Sequence, residues 1–143
     1  MSGRKSKAVI DTGVLISAFA FGGIPLRAVQ RAFACCNLYV SQDLLAEYRG
    51  VPVALDSCGK IDHLQFRALI SGIAAFTAKT AIVYPEKKFF VCRDPKDNIV
   101  LECCHAASAD ILISGDKDLL EQKDLSFHLD ILTPKQFLLR AIV

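Results

Sequence analysis

Two short runs of purely apolar residues, each followed at once by polar and acidic side chains, constrain the fold of this chain most strongly. Ala8–Ile10 precedes Asp11, and Ile111–Ile113 precedes Ser114 and Asp116. An apolar run without polar alternation is typical of a strand that is buried on both faces, as in a parallel sheet. Because ligands bind at the carboxyl ends of the strands in open α/β sheets, these acids lie where a site is expected.

Strands and helices alternate along the rest of the chain. Further short strands are predicted at residues 38–40, 81–84 and 130–132. Helical segments are predicted at residues 14–20, 26–34, 41–48, 61–79 and 97–108 and after Thr133. Phe33 and Leu64 are among the expected core positions, and residues 50–59 predict no regular element. The alternation indicates a three-layer α/β/α sandwich with a mainly parallel central sheet.

Composition and charge indicate one folded domain. Of the 143 residues, 52% are hydrophobic, which is enough for a substantial core. The net charge is only +2, so a polyanion would be bound by a local patch and not by the overall field. We expect a flexible basic N-terminus at residues 1–7 and a single domain at residues 8–143. Since no signal-peptide or membrane-spanning segment is recognised, we expect a cytoplasmic protein without a membrane partner.

The cysteines do not form the pattern of a secreted disulfide framework. They are Cys35, Cys36, Cys58, Cys92, Cys103 and Cys104. The segment Cys103–His105 raises the alternative of a zinc site, but zinc ligands are usually separated by about two to four residues. Small core residues in a reducing compartment are the favoured interpretation.

Four acids form the candidate site. Asp11 and Asp116 each follow a buried strand, and Asp97 is expected to cap a helix that packs on the sheet. Glu47 lies in the first turns of another helix, where a solvated position is the alternative. Carboxylates that gather at one edge repel each other, and a divalent cation removes that cost. Carboxylate oxygens suit Mg²⁺ or Mn²⁺, so we expect these acids to meet around a metal ion.

Other polar residues are expected to lie outside this site. Glu102 falls roughly opposite Asp97 around their helix, and no glycine-rich phosphate loop occurs. The residues expected at the surface or at caps are His63, His105, Asp124, His128 and Asp130.

Four segments occur in the order of a known family and span almost the whole chain. They are residues 9–15 (Val-Ile-Asp-Thr-Gly-Val-Leu), 41–48, 93–98 (Arg-Asp-Pro-Lys-Asp-Asn) and 109–119. Together they resemble the PIN domain, above all the bacterial and archaeal branch that includes toxins of toxin–antitoxin pairs. The resemblance implies a Mg²⁺- or Mn²⁺-dependent endoribonuclease that hydrolyses phosphodiester bonds of single-stranded RNA and leaves 5′-phosphate and 3′-hydroxyl ends.

The resemblance also assigns residues and partners. The family's acidic ligands correspond to Asp11, Glu47, Asp97 and Asp116, with Asp118 as a supporting acid. Thr12 and Ser114 correspond to polar residues that help to shape the site. The implied partners are a second copy of the chain in a homodimer and, for a toxin, a cognate antitoxin protein.

Details of the sequence qualify this assignment. Gly13 stands where the family commonly has Asn, which could orient the first acid. The segment 50–52 departs from the longer helix that is usual there. Arg93 and Lys96, with Lys117, are expected to contact the RNA backbone, and Asp94 is expected to form the turn before Pro95.

Two other functions stay open at this point. The first is a non-catalytic PIN-fold module that binds RNA or protein, although the presence of all four acids argues against it. The second is a phosphatase of the haloacid-dehalogenase type, which needs an Asp at the position of Gly13 and leaves Glu47 without a role.

Overall fold

The computed structural model describes residues 5–123 and 125–141, which form a five-stranded parallel sheet covered by helices. The strands are β1 Ser6–Ile10, β2 Cys36–Ser41, β3 Ala81–Val83, β4 Ile111–Ile113 and β5 Asp130–Leu132. The helices are α1 Thr12–Phe21, α2 Gly23–Cys35, α3 Gln42–Ser57, α4 His63–Thr77, α5 Pro95–Ala107, α6 Lys117–Leu120 and α7 Pro134–Ala141. The predicted α/β fold with a mainly parallel sheet is confirmed.

The sheet order, β3-β2-β1-β4-β5, places β1 at the centre. β1 pairs with β4 so that Ile10 lies opposite Ile113, and the two strands end side by side. The Asp11 amide donates to the Ile113 carbonyl at 2.9 Å, which carries the pairing one residue further. The polar segments that follow β1 and β4 therefore leave the sheet from adjacent points on one edge.

Helices cover both faces of the sheet. Crossovers between parallel strands are right-handed, so α1 to α4, which connect β1, β2 and β3, lie on one face. Helix α5 connects β3 to β4 in the opposite direction and lies on the other face. The central strands β1 and β4 end in buried apolar residues, as their lack of polar alternation predicts.

Some predicted bounds are wrong. Helix α3 continues through Pro52 to Ser57, so most of residues 50–59 is helical and the expected departure from a longer helix does not occur. Pro52 removes one backbone donor from the helix, but its side chain is buried against the domain, and packing outweighs that loss. β1 begins at Ser6, so Ser6 and Lys7 belong to the sheet and not to a flexible tail. Residues 1–4 and Asp124 lie outside the described residues.

Two predicted core positions are also wrong. Leu64 is 76% exposed and Phe33 is 41% exposed. In α4 the buried residues Leu69, Ile73 and Phe76 recur at the helical period. At about 100° per residue, Leu64 lies well away from that stripe, although it belongs to the same helix.

The cysteines divide between the core and the surface. Cys36, Cys103 and Cys104 are buried, as predicted for small core residues, whereas Cys35 and Cys58 are exposed. Within the described residues, no single helix is both long and apolar enough to cross a membrane. Helices α1 and α2 meet that length and composition only as a pair, and they are bent by 114° at Gly22.

Candidate metal centre

One cavity of about 570 Å³ opens at the carboxyl edge of the sheet, and all four predicted acids line it. These acids are Asp11, Glu47, Asp97 and Asp116. They come from four separate parts of the chain: the end of β1, helix α3, the first turn of α5, and the loop before α6. The fold thus gathers residues that are up to 105 positions apart in sequence around one space.

A chain of hydrogen bonds orders the two acids that follow β1 and β4. The buried Ser114 hydroxyl donates to Asp11 Oδ2 at 2.8 Å and accepts from the Asp116 amide at 3.0 Å. Asp116 Oδ1 in turn accepts from the Asp118 amide at 2.8 Å, which makes Asp116 the N-cap of α6. Ser114 therefore fixes the carboxylate of one strand end relative to the backbone of the other.

Helix α5 begins earlier than predicted, and this changes the roles of its acids. The N-cap is Asp94, whose Oδ1 accepts from the Lys96 amide at 3.0 Å, and Pro95 is the first helical residue. Asp97 therefore does not cap the helix, as the sequence suggested, but lies in its first turn. Its carboxylate is left unused by the helix, and only 6% of the residue is exposed.

Glu47 reaches the cavity because hydrogen bonds of Ser41 and Tyr48, which lie on either side of Glu47 in the sequence, hold α3 in place. The Ser41 hydroxyl accepts from the Leu44 amide at 3.1 Å and caps the helix, as predicted. The buried Tyr48 hydroxyl donates to the Ile10 carbonyl, directly before Asp11. The neighbouring Glu47 is held at the mouth of the site, so the solvated alternative is not what the fold adopts.

Burial and mutual repulsion act on the carboxyl groups. Burial raises the pKa of Asp97 to about 7, and the charge of Asp116 adds to the shift. Burial also raises the pKa of Asp11, against the opposing effect of the Ser114 hydrogen bond. It raises the pKa of Glu47 as well, where the nearby Lys96 ammonium opposes the change. Without a counterion, the site therefore disfavours its own full ionisation.

The donor set fits a divalent cation. Glu47 Oε2 and Asp97 Oδ2 are buried and have no hydrogen-bond partner among the described residues. One carboxylate oxygen from each of Asp97, Asp116 and Asp118 lies within 4.8 Å of the others. Buried carboxylate oxygens without donors are costly, and hard cations such as Mg²⁺ and Mn²⁺ take oxygen ligands of this kind.

The supporting residues divide between the cavity and its rim. Thr12 is buried beside Asp11, and its hydroxyl has no partner within the described part of the chain. Asp118 is not a lining residue of the cavity, but it joins the acidic group described above. Gly13 lines the cavity, and a Cβ at this position would contact no atom within 4 Å.

The three predicted RNA-binding cations lie in different places. Lys96 lines the cavity. Arg93 is exposed and donates from Nη2 to Asp118 Oδ1 at 2.7 Å. Lys117 is exposed, lies outside the cavity lining, and pairs with Glu121 at 4.0 Å. The first two therefore border the acids directly, whereas Lys117 faces the next turn of its own helix.

Several lining residues were missed from the sequence. Asp94 lines the cavity in addition to capping α5, and Ser17, Pro25 and Pro134 complete its wall. The Asp-Pro pair that opens a helix is a recognisable capping signal. Nothing in the local sequence marks the other three, because only the packing of α1, α2 and α7 brings them to this edge.

The excluded residue Glu102 has a different partner. It is buried, and its Oε2 accepts from the Phe89 amide at 3.0 Å, while Oε1 lies 3.8 Å from the Lys88 ammonium. It anchors the loop before α5 and is not among the residues that line the acidic cavity.

Comparisons with known proteins agree with this geometry. A solved structure described as VapBC2 from Rickettsia felis bound to a DNA fragment from their promoter superposes with a TM-score of 0.58 at 11% identity. The match covers 87% of this chain and 98% of that one, and it shows a common fold. The uncharacterized protein MJ1680 of Methanocaldococcus jannaschii is 33% identical, over 94% of this chain and 90% of its own length.

The family comparison is direct. A family model described as a PIN domain matches residues 7–118, which include all of β1 except Ser6, the four cavity acids and Asp118. This range is well over half of the chain. The chain therefore belongs to the PIN-domain family.

Proposed function

We propose that this protein is a Mg²⁺- or Mn²⁺-dependent endoribonuclease that hydrolyses phosphodiester bonds of single-stranded RNA. The observation that carries the proposal is the convergence of Asp11, Glu47, Asp97 and Asp116 on one open cavity. Two of these side chains also have a buried oxygen without a hydrogen-bond donor. Family membership supports the same chemistry.

The four cavity acids would hold the metal, with Asp118 in support. When bound, a divalent cation supplies activation of water and neutralises the charge that develops on the phosphoryl group. Ser114 keeps Asp11 in position through its 2.8 Å hydrogen bond. Arg93 holds Asp118 in place, so the supporting acid has a fixed orientation.

The surrounding cations would bring the substrate to the acids. Lys96 lines the cavity and faces Glu47 closely enough to affect its pKa. An ammonium at this position attracts a phosphate that the acids alone would repel. The cavity is open and not enclosed by a lid in the described residues, which suits a flexible polymer strand.

A role as the toxin of a toxin–antitoxin pair, with an antitoxin partner and a homodimeric state, is part of the proposal. It is supported by the fold shared with VapBC2 from Rickettsia felis, which was solved bound to a DNA fragment from its promoter. Co-expression with the product of an adjacent small gene would test it, with inhibition of RNA cleavage as the expected result.

The decisive experiment compares cleavage of a labelled single-stranded RNA with Mn²⁺ and with a chelator. We expect cleavage only with the metal, and its loss in Asp97→Asn. The matched control is Asp56→Asn, since Asp56 is an exposed acid near the end of α3. Cleavage that persists in chelator or in Asp97→Asn would contradict the proposal. Single-stranded DNA and duplex RNA are run in parallel to test the substrate class.

A further inference from the structure

The loop that connects β3 to α5 carries an aromatic ring that the fold does not bury. Phe90 is 87% exposed, and its neighbour Val91 is also exposed. A single exposed apolar side chain is common in proteins and by itself carries no argument. Phe90 differs because the loop is fastened to the domain on both sides of it.

The first anchor is the residue before it. Phe89 is buried, and its amide donates to the buried Glu102 carboxylate at 3.0 Å. Its ring centroid lies 5.7 Å from that of His105 and 5.8 Å from that of Phe127. His105, which the sequence places at the surface, is half-buried because it completes this aromatic cluster.

The second anchor is Cys92, two residues after Phe90. The Cys92 amide donates to Asn98 Oδ1 at 3.0 Å, and Asn98 is buried in the first turns of α5. Phe90 is therefore held between two fixed points, with its ring on the outside. A ring presented in this way loses little conformational entropy when a flat ligand stacks on it.

Two lysines line the same small cavity as the exposed ring. A cavity of about 220 Å³ beside Phe90 has Lys87 and Lys88 as the charged residues of its lining, within the part of the chain that the structure describes. The Lys87 ammonium is fixed 3.3 Å from the Ser126 hydroxyl and 5.4 Å from the Phe89 ring centroid. An aromatic face next to ammonium groups suits a ligand with flat bases and a negative backbone.

The same loop leads directly to the acidic cavity. Arg93 contacts Asp118, and Lys96 lines the cavity. Lys96 stands six positions after Phe90, so the Cα atoms of these two residues are at most about 22 Å apart. A strand of a few nucleotides can bridge this distance.

We propose that Phe90, with Lys87 and Lys88, is a stacking subsite for an unpaired base of the RNA strand whose backbone reaches the acidic cavity. This subsite rests on the proposed function, because that function makes single-stranded RNA the ligand. Lys87 favours a nucleic acid over an apolar protein surface, because burying its ammonium group against protein requires an acidic partner, whereas Lys88 already has Glu102. A duplex is a poor ligand, since its bases are already stacked.

Binding is tested in an Asp97→Asn background, in which cleavage is expected to be lost. Phe90→Ala should weaken binding of a labelled single-stranded RNA by about 5- to 150-fold, the usual range for one base stack. The control is Phe21→Ala, because Phe21 is another exposed phenylalanine, at the far end of α1. Lys87→Gln should make the logarithmic salt dependence shallower by about 0.7.

The absence of tryptophan from the chain allows a direct probe. Phe90→Trp introduces a single tryptophan, which can be excited selectively over the three tyrosines and whose fluorescence RNA should quench, while Phe21→Trp should stay bright. Phe90→Ala binding within about twofold of the parent would overturn the subsite. Equal quenching of the two tryptophans would also overturn the subsite. A Phe90→Ala protein that keeps its RNA binding but no longer has the mass of a dimer in light scattering would overturn it as well.

The two proposals fail in different ways. A parent protein that does not cleave RNA with Mn²⁺, but loses RNA binding on Phe90→Ala, would refute the nuclease and keep the subsite. A protein that cleaves RNA but binds it equally well without the ring would refute the subsite alone.

Discussion

The Asp97→Asn substitution separates the effect of this carboxylate on the fold from the role that we propose for it as a metal ligand. Burial and Asp116 raise the Asp97 pKa from 3.8 to about 7, so the ionised group disfavours the folded state of the metal-free protein. The full shift corresponds to about 4 kcal/mol. Because the cavity is open to water, screening reduces this to about 1–2 kcal/mol.

The free energy of unfolding should change with pH in a direction that a stability measurement can test. Between pH 3.8 and about 7 the folded state binds more protons than the unfolded state, so Asp97 makes the free energy of unfolding fall as the pH rises. In chelator at about pH 8, Asp97→Asn should therefore be more stable than the parent, by about 3–6 °C in Tm. Below about pH 3.8 the two should be nearly equal, because Asp97 is then protonated in both the folded and the unfolded state.

Metal provides the converse measurement. Mn²⁺ should raise the Tm of the parent and have little effect on Asp97→Asn, because binding to the folded state stabilises it. RNA cleavage should be lost in the same variant. An Asp97→Asn protein that is less stable than the parent at about pH 8 in chelator would refute the account of this site as a strained cluster of acids.

Three further substitutions test the parts that support the site. Ser114→Ala removes the link between Asp11 and the Asp116 amide. It should lower the Mn²⁺ affinity, measured by calorimetry, by about 10- to 100-fold. Unchanged affinity would contradict a positioning role for Ser114. Tyr48→Phe leaves the Ile10 carbonyl without its buried donor and should cost about 1–3 kcal/mol in urea unfolding. Gly13→Ala should stabilise α1 by about 0.5–1 kcal/mol in the same assay, because a Cβ at this position would contact no atom within 4 Å. A loss of stability would show that the glycine is needed.

Local sequence was sufficient for the central strands and for the acids beside them. The runs at residues 8–10 and 111–113 could be interpreted because only a strand buried on both faces needs apolar side chains in every position. Parallel strands place their carboxyl ends on one edge, so Asp11 and Asp116 could be placed together before any contact was known. Asp97 and Glu47 followed from the helices that pack on that sheet and from the PIN resemblance.

Local sequence was not sufficient where contacts between helices and the sheet decide which residues are buried. Asp94 and Asp97 both suit a helix start, and although Pro95 favours Asp94 as the cap, only the packing of α5 against the sheet buries Asp97. Leu64 is as apolar as the core leucines, but the face of α4 that packs against the domain is the one that carries Leu69, Ile73 and Phe76, which leaves Leu64 in water. Pro52 argued for a helix end, yet burial of its ring keeps α3 intact.

The sequence by itself thus determined the class of fold, because this depends on the periodicity of apolar residues, and it indicated the family through motifs that resemble the PIN domain. It also nominated the four acids that we propose as metal ligands. Tertiary structure decided which carboxylate oxygens are left without donors, which cations face them, and that Phe90 stands exposed between two anchored residues. These properties depend on distances between elements that are remote in sequence. They are set by packing, which no local pattern encodes.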